Sequence, residues 1–443
     1  MAMEVDLPNE ELIYQLFQHF GIQQAHVAAS MPADWMGFAL SHPECISSLT
    51  LVFPRSIDPR AVAVFTSRLL VITGDQEKPA EELRRTVSNL PGATLLALRD
   101  YSSAGSWLDM VADRTEEIGL TMMKLLARMS HERNVKGVSL PEGEGEVAGI
   151  SYRVEGSGPP LLLFPLALAL SQWEPLMPKL RERFCTITLS GAKMGQVATL
   201  EERARGGYLR VVQTLIEESQ LRPGESVLDV GCGTGALDRW LAHYTNGKNR
   251  VVAVDNNGYL LREATTLARK EGLEGAVEFR EGNAEDLPFV SGSFDVVLAC
   301  TLLERLDADR ALRELVRVTK PGGRVGVVVR ALDVSWFVNV PLRTELKRRV
   351  EDPGTIGGSV AELGCADASL YRRICQQGLV LVKMLPQLAT VNDGTRLQLF
   401  KDRIFTALSS EQKKEWEDAA ARAESDGSFF YAEPYHCAVG TKP

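Results

Sequence analysis

Two hydrophobic patterns alternate along the second half of the chain. Continuous apolar runs typical of buried strands occur at 226–229, 251–255, 276–282, 294–300 and 324–330. Two of the intervals between them, 257–272 and 307–323, carry apolar residues at helical spacing. Two further strands, at 379–391 and 429–443, bracket a helical segment at 409–425. This alternation predicts an α/β fold with a doubly wound, mostly parallel sheet.

The first half of the chain predicts a separate domain. The 443 residues make about twice the length of a typical domain. A polar segment rich in Gly and Glu at 131–149 is typical of a linker, and a weaker joint lies near 191–200. We therefore predict one domain over 1–197, with an internal linker near 131–149, and a second domain over 198–443.

Composition and charge limit the partners, the cellular compartment and the kinds of site that we expect. The formal net charge of −9 argues against a nucleic-acid partner, because phosphate binding needs a basic face. The seven cysteines are scattered singly, which indicates a reducing compartment and gives no metal site. The N-terminus lacks a basic region followed by an apolar core, and the most apolar run, 161–170, is too short to cross a bilayer. We expect a cytoplasmic protein without a membrane span, and a homodimer is one option for its assembly.

The most informative segment is 226–235, SVLDVGCGTG. A predicted strand ends near Asp229, and Gly231, Gly233 and Gly235 follow at alternate positions. Such glycines allow a sharp turn and let a ligand lie against bare backbone, at the sheet edge where open α/β folds bind nucleotides. Spacing alone leaves the ligand open, since GCGTGA also fits a dinucleotide fingerprint, with Asp255 as the ribose acid in either case.

Further features carry a family resemblance. Asp229 lies two residues before the first glycine, a polar loop precedes the fourth strand, KPGG precedes the fifth strand, and the chain finishes on a strand pair. Together these features resemble class I S-adenosylmethionine (SAM)-dependent methyltransferases, especially the ubiquinone/menaquinone-biosynthesis type and its small-molecule relatives. The resemblance covers roughly 200–443. It implies a Rossmann-like, seven-stranded domain that binds SAM and methylates a small-molecule acceptor.

The resemblance also implies roles for individual residues. Asp229 would accept from the amino group of SAM, and Asp255 would accept from its ribose hydroxyls. Asn283 stands where the family usually has an acidic residue facing the adenine, and its carbonyl can still accept that bond. Cys300 would lie under the cofactor. The whole set implied for SAM is Asp229, Gly231, Cys232, Gly233, Gly235, Asp255, Asn256, Asn283, Ala284, Glu285 and Cys300.

The acceptor is less determined. Candidates for a catalytic base are His436 on the last strand, Tyr208 before the glycine motif, Glu304 and Asp333. A lone histidine on a strand is more often structural, and a tyrosine such as Tyr208 is as often an ordinary amphipathic residue. Oxygen, sulfur and carbon acceptors all stay open. Because the sequence offers few candidate bases, we favour an acceptor that loses its proton readily, such as a thiol, an acidic phenol or an activated carbon. Two rival interpretations stay open, a bifunctional methyltransferase and esterase, and a non-catalytic SAM-binding interaction protein.

The first half resembles α/β-hydrolases in a rearranged order. Segment 25–54 resembles the nucleophile-elbow region, 68–98 resembles the late strand with the acid-bearing loop, and 149–195 resembles the opening strands. The part expected first therefore comes last, as in a circular permutation. The resemblance implies an α/β-hydrolase-like domain over 1–197.

The catalytic machinery of that family is degenerate in this chain. The GxSxG elbow falls on Ala28, Ser30 and Pro32, so both glycines are missing. Glu77 stands at the acid position, but the expected histidine is absent, with Ser102 and Ser103 in its place. A serine without a base is a poor nucleophile. We therefore predict a scaffold that caps the acceptor site, dimerises or binds a partner.

Overall fold

The computed structural model describes residues 8–30, 32–54, 57–76, 78–102, 110–166, 170–191 and 194–443. It divides into two compact units, 1–198 and 199–443. The division falls one residue from the predicted boundary. Each unit carries its own eight-stranded sheet.

Unit 1 alternates strands and helices in its first half and ends in a strand-rich part. Its elements in chain order are α1 Asn9–Phe20, β1 Ala25–Ala29, α2 Pro32–Ser41, β2 Ile46–Val52, α3 Pro59–Val62, β3 Leu69–Gln76, α4 Lys78–Ser88, β4 Thr94–Ser102, α5 Met110–Asp113, α6 Thr115–Glu132, β5 Gly143–Val147, β6 Ile150–Glu155, β7 Pro160–Leu163, α7 Met177–Leu180, β8 Cys185–Ser190 and α8 Gly195–Glu201.

The sheet of unit 1 has the strand order β4-β3-β2-β1-β7-β8-β6-β5. Strands β1 to β4 run parallel outward from the centre, and β7 pairs with the other side of β1. Strands β5 and β6 form an antiparallel hairpin at the far edge. The predicted linker at 131–149 therefore contains a strand, because the alternating Gly and Glu residues of β5 pair with β6 at a solvent-exposed edge.

A buried histidine ties the centre of this sheet to α6. His26 on β1 lies 2.8 Å from the Ser48 hydroxyl and 2.9 Å from the Ser130 hydroxyl, through its Nδ1 and Nε2 atoms. Ser130 donates onward to the Leu126 carbonyl at 2.7 Å. Burial lowers the pKa of His26 to about 4, so the ring is neutral and its role is structural.

Unit 2 follows the predicted alternation and adds helices near the chain end. Its elements are α9 Gly206–Glu218, β9 Ser226–Val230, α10 Ala236–Tyr244, β10 Arg250–Asp255, α11 Gly258–Lys270, β11 Val277–Glu281, β12 Phe294–Cys300, α12 Ala308–Val318, β13 Thr319–Arg330, β14 Phe337–Val338, α13 Thr344–Glu351, α14 Pro353–Ile356, α15 Ser369–Gln376, β15 Val380–Val391, α16 Gly394–Ala407, α17 Ser410–Ser425 and β16 Tyr431–Thr441.

The sheet of unit 2 places β9 at its centre. The order is β11-β10-β9-β12-β13-β16, with β15 on the outer side of β16 and the short β14 beside the start of β16. The first five of these strands are parallel and β16 is antiparallel to β13. Strand order reverses between β9 and β12, so this fold has its ligand crevice outside the carboxyl ends of these two strands.

A separate apolar cluster lies among the added helices of unit 2. Trp336, Phe400 and Tyr431 stack on one another there, with Trp416 packed at the edge of Phe400. The sequence pattern predicts a helix only at 409–425 in this region, and it does not predict α13 to α16. Helices α13, α14 and α16 each contribute only a few apolar positions to the shared cluster, and α15 buries two apolar residues against the sheet core, so the pattern of each helix is weak.

Candidate functional site

The turn after β9 is built from three glycines with positive φ. The φ values are 84° at Gly231, 58° at Gly233 and 68° at Gly235, a region that side chains disfavour. A Cβ at Gly231 would lie 2.9 Å from Leu302, and one at Gly235 would lie 2.4 Å from Phe279. The turn therefore needs glycine both for its backbone conformation and for the close approach of these neighbours.

A cleft opens beside this turn. The residues that line it are Leu200, Arg203, Asp229, Gly231, Cys232, Gly233, Thr234, Ala236, Leu237 and Cys300. Five residues of the predicted SAM set are among them: Asp229, Gly231, Cys232, Gly233 and Cys300. The structure thus brings together residues from the ends of β9 and β12, as the strand order requires.

Asp229 lines this cleft and has an unpaired carboxylate oxygen. The side chain is buried, and its Oδ1 has no hydrogen-bond partner among the described residues. Burial, followed by the charge of Asp255, raises the pKa of Asp229. A buried acceptor without a donor is costly, so a hydrogen-bonding ligand would relieve this cost.

A second carboxyl group, not predicted from the sequence, lies against Asp229. Asp238 in the first turn of α10 is fully buried, and neither of its carboxyl oxygens has a hydrogen-bond partner among the described residues. Burial and the charge of Asp229 raise the pKa of Asp238 well above its ordinary range. Burial and the repulsion between the two negative charges therefore favour the protonated form of these acids. The sequence did carry a signal, because Asp238 stands at helical spacing from buried Leu241 and Ala242, on the apolar face of α10.

Asp255 joins the next strand to the glycine turn. Its Oδ2 accepts the Gly233 N–H at 2.9 Å, and its Oδ1 accepts the Asn257 N–H at 2.9 Å. Burial raises its pKa while these backbone donors oppose the shift. Each oxygen keeps lone-pair capacity for a ligand hydroxyl. Neighbouring Asn256 is exposed.

The loop after β11 holds the other predicted adenine-side residues, none of which lines the cleft described above. The Asn283 side chain accepts the Glu285 N–H at 2.9 Å, and Ala284 is buried. The Glu285 carboxylate accepts the Asp307 N–H at 3.0 Å and pairs with Arg310 at 3.5 Å. The side chain of Glu285 thus holds this loop against the start of α12, a structural role that the sequence analysis missed.

The Tyr208 hydroxyl is protonated, which differs from the role of a base considered from the sequence. Burial raises the pKa of Tyr208 above its ordinary range, and the hydroxyl has no protein partner that satisfies it among the described residues. The Cζ atoms of Arg203 and Arg396 lie 5.5 and 5.8 Å from the ring centroid. A neutral phenol can donate a hydrogen bond here but cannot accept a proton as phenolate.

The other predicted base, His436, is not among the residues that line the cleft. Its Nε2 lies 2.8 Å from the Asp333 carboxylate, and its Nδ1 is buried without a partner in the described part of the chain. Its strand neighbours Tyr435 and Cys437 pack in the same cluster as Tyr208. Because side chains alternate along a strand, His436 faces the opposite side of the sheet from Tyr208. This placement disagrees with a role for His436 as the base.

The Cys300 thiol is neutral. It is buried at the end of β12, and burial and the charge of Asp229 raise its pKa well above the ordinary value. A thiol without thiolate character does not act as a nucleophile. Cys300 therefore lines the cleft as a small apolar residue.

An ion-pair network fixes the segment that precedes α9. Arg239 on α10 is buried and pairs with Glu201 and, at 2.9 Å, with Glu271. Glu201 also accepts the Thr234 hydroxyl at 2.7 Å. This network joins the 199–205 segment to the glycine turn and holds Leu200 and Arg203 at the cleft. Its partners are more than 30 residues apart in the chain, so the sequence pattern gave no sign of it.

The corresponding turn of unit 1 carries a different buried acid. Ser30 directly follows β1 and is buried. Asp34 in α2 accepts the Gly195 N–H at 2.9 Å, and its other oxygen has no partner in the described part of the chain. Burial raises the pKa of Asp34 to about 7. Two residues of the predicted machinery, Glu77 and Ser103, lie outside the described residues.

The sheet order of unit 2 and its cleft at the β9–β12 reversal define a Rossmann-like class I methyltransferase domain. Residues 228–327 match the family model described as a methyltransferase domain. No group of three metal-binding side chains occurs among the described residues. In the same ranges, no helix combines the length and the apolar character needed to cross a membrane.

Curated relatives share this part of the chain. It is 41% identical over 114 residues to the ubiquinone/menaquinone biosynthesis C-methyltransferase UbiE of Shewanella sp. (strain ANA-3), covering 26% of this chain and 45% of that protein. It is 34% identical over 179 residues to UbiE of Vibrio campbellii, covering 40% and 64% respectively. The chain thus spans about half the length of the curated relatives it matches. Among solved structures, the YcgJ protein of Bacillus matches with a TM-score of 0.36 and 17% identity, covering 53% of this chain and 98% of that one.

Proposed function

We propose that unit 2 transfers a methyl group from SAM to a small-molecule acceptor. The observation that carries this proposal is the buried carboxyl group of Asp229, which has one unpaired oxygen and lines a cleft together with the glycine turn. The amino group of SAM is a donor that matches this carboxyl group, and Gly231 and Gly233 offer bare backbone to a ligand in the cleft.

The residues present fit the parts of SAM. The Asp229 carboxylate would accept from the ammonium group, and the Asp255 carboxylate would accept from the ribose hydroxyls. Asn283 would face the adenine with Asn256 and Ala284 beside it. Cys300 would provide an apolar wall near the sulfonium. The family match over 228–327 supports this assignment, since the range includes both aspartates and the glycine turn.

The reaction is an in-line displacement at the methyl carbon. The acceptor first loses its proton to solvent, and the electron pair left on its sulfur, oxygen or carbon atom forms the new bond to the methyl carbon. The C–S bond breaks with its electron pair going to sulfur, which leaves the uncharged thioether of S-adenosylhomocysteine. The protein positions the two molecules and excludes water. Because Tyr208 is neutral and His436 faces the other side of the sheet, we favour an acceptor that loses its proton readily: a thiol, an acidic phenol or an activated carbon. The C-methyltransferase name of the curated relatives agrees with the last class.

Calorimetry with SAM and the Asp229→Asn variant tests this proposal. Loss of the carboxylate charge removes a charge-assisted hydrogen bond to the ammonium group, and we expect about 10- to 100-fold weaker binding. Glu281→Gln, at an exposed carboxylate that ends β11, is the matched control and leaves the affinity unchanged. Incubation with labelled SAM and a panel of thiols, phenols and activated carbon acids then identifies the acceptor by S-adenosylhomocysteine formation. Equal SAM affinity of wild type and Asp229→Asn would contradict the site.

We also propose that unit 1 is a circularly permuted, hydrolase-like domain without hydrolase activity. The strand order supports a permutation, since β7 pairs directly with β1 although more than 130 residues separate them. A chain that began at β5 would place its opening hairpin at one sheet edge and then build the sheet across to β4. Burial of Ser30 supports the loss of activity. An assay with p-nitrophenyl acetate tests this proposal, and turnover that depends on Ser30 would contradict it.

A further inference from the structure

The backbone directly after β12 is strained at the carboxyl end of the sheet. Thr301 is the first residue after this strand, and its φ of 56° lies in the left-handed region, which a β-branched side chain disfavours. The Thr301 N–H donates to the Val328 carbonyl at 2.7 Å, so the chain turns sharply while it stays bound to β13. Strained residues of this kind cluster at active sites and ligand-binding segments. The turn leads into a short 3₁₀ helix that carries Glu304.

Glu304 has a buried carboxylate with one oxygen left without a partner. Its Oε1 accepts the Arg330 N–H at 2.8 Å, whereas its Oε2 has no hydrogen-bond partner among the described residues. Its backbone carbonyl accepts the Ala361 N–H at 2.8 Å, which fixes the position of the residue. Burial raises the pKa of Glu304, and the charges of Arg330 and Arg203 oppose this shift. The raised pKa makes this carboxylate a stronger base than an exposed glutamate.

Tyr208 brings an unpaired donor to the same end of the sheet. Its ring packs in one apolar cluster with Cys300, the last residue of β12, and its buried hydroxyl has no partner in the described part of the chain. Burial raises the pKa of Tyr208, and the negative charge of Glu304 adds to the shift, so the two groups lie within electrostatic reach of each other. Leaving a buried donor and a buried acceptor both unpaired is costly, and a ligand that pairs with both would relieve this cost.

We propose that Tyr208 and Glu304 together bind one hydroxyl group of the methyl acceptor, and that this hydroxyl belongs to a phenol or an enol. Such a group can accept the Tyr208 O–H and can donate its own proton to the Oε2 atom of Glu304, so both unpaired groups gain a partner. A thiol donates and accepts hydrogen bonds only weakly and would leave both groups poorly satisfied. The inference rests on the proposed function, because it concerns the acceptor of the same reaction.

The proton that the acceptor loses to solvent passes first to Glu304. The O–H bond of the bound acceptor breaks, its electron pair stays on oxygen, and the proton forms a bond to Oε2. In a phenol this electron pair attacks the methyl carbon. In an enol it forms the C=O bond, and the electron pair of the C=C bond attacks instead. Tyr208 stays protonated, and its hydrogen bond stabilises the negative charge on the acceptor oxygen.

Binding of 4-nitrophenol tests the shared hydroxyl site. Dissociation constants of 4-nitrophenol and of its methyl ether, 4-nitroanisole, are measured on the full chain saturated with S-adenosylhomocysteine. We expect the wild type to prefer the phenol about 10- to 100-fold, because the ether has no proton to donate, and Glu304→Gln to lower this preference about 10-fold. Tyr208→Phe weakens both ligands about 5-fold, since either oxygen can accept its hydrogen bond. Glu362→Gln and Tyr371→Phe, at exposed side chains, are the matched controls and change neither quantity.

An enol probe and a spectroscopic measurement complete the test. The diketone 1,3-cyclohexanedione and its enol ether, 3-methoxy-2-cyclohexenone, give the same comparison for an enol. The absorbance of the bound probe then reports its ionisation. Below the pKa of the free probe, we expect a larger ionised fraction on the wild type than on Glu304→Gln, because only the carboxylate can take the proton. A merely structural Glu304 would leave this fraction unchanged.

Binding of SAM separates failure of this inference from failure of the proposed function. Tyr208 and Glu304 are not among the residues that line the cleft, so both variants should keep their affinity for SAM, which also shows that they fold. If the wild type binds SAM but prefers neither hydroxyl probe over its ether, the inference is wrong and the proposed function stands. The same conclusion follows if Glu304→Gln changes neither ratio, or if it does not fold and Tyr208→Phe binds both probes as the wild type does. A wild type that does not bind SAM overturns both.

Discussion

Each unit carries a turn at the point where its strand order reverses. In unit 1 this turn follows β1, between β2 and β7, and in unit 2 it follows β9, between β10 and β12. Each turn has a buried acid nearby with one unpaired oxygen, Asp34 in unit 1 and Asp229 in unit 2. Asp34 is tied to a backbone N–H through its other oxygen, whereas Asp229 lines a cleft. The same topology therefore places the acid at a cleft in unit 2 and against the Gly195 backbone in unit 1.

The largest expected effect concerns the network that holds the unit 2 turn. Arg239→Met leaves the buried Glu201 carboxylate without its cation, and we expect the free energy of unfolding of unit 2 to fall by about 3–5 kcal/mol. Chemical denaturation followed by fluorescence measures this change. Arg250→Met, which breaks an exposed pair with Glu278, is the control and costs about 0–1 kcal/mol. Equal effects of the two variants would show that the network is not structural.

The next largest effect is expected from removal of the Asp255 carboxylate, which is proposed to bind the ribose of SAM. Asp255→Ala deletes both the predicted ribose contact and the acceptor of the Gly233 N–H, so we expect SAM binding to weaken by about 2–4 kcal/mol. Calorimetry measures the change, and Asp34→Asn in unit 1 is the control that leaves SAM affinity unchanged. Unchanged SAM binding in Asp255→Ala would contradict the proposal that the unit 2 turn, unlike the unit 1 turn, binds SAM.

The buried acids predict the pH dependence of stability. The pKa of Asp34 is raised from 3.8 to about 7, so its contribution is fully present below about pH 4 and is lost as pH rises to 7. Asp34→Asn should remove this dependence and stabilise the protein at pH 8 by about 1–3 kcal/mol relative to wild type. Asp229→Asn should also stabilise the SAM-free protein at pH 8, because its pKa is raised too. Thermal unfolding between pH 5 and pH 8 measures both effects, and a destabilising Asp34→Asn would refute this account.

The smallest expected effect belongs to the serine of unit 1. Ser30→Ala should change the free energy of unfolding by less than about 1 kcal/mol and should leave methyl transfer unchanged, since neither proposed role depends on the hydroxyl. Denaturation and the labelled-SAM assay measure the two quantities. A loss of methyl transfer in this variant would show that the unit 1 turn takes part in the chemistry.

Prediction from the sequence succeeded where the pattern was local. Strand β12 has the predicted bounds at Phe294 and Cys300, and the glycine turn and Asp229 lie in one cleft. The pattern missed residues whose role depends on a distant neighbour. In the sequence Asp238 resembles an ordinary acid at a helix start, and only its burial and the charge of Asp229 raise its pKa. The helices around Trp336 were missed because each buries only part of a shared apolar cluster.

The amino-acid sequence by itself determined the α/β alternation, the glycine turn and the acids that follow β9 and β10. These features depend on residue type at short spacing, through backbone freedom at glycine and burial along strands. Tertiary structure decided which charges are neutralised and which are left free. Glu201 pairs with Arg239, Glu202 binds the start of α16, and Arg203 remains unpaired at the cleft. Those outcomes depend on distances between segments far apart in the chain, and a linear pattern does not contain them.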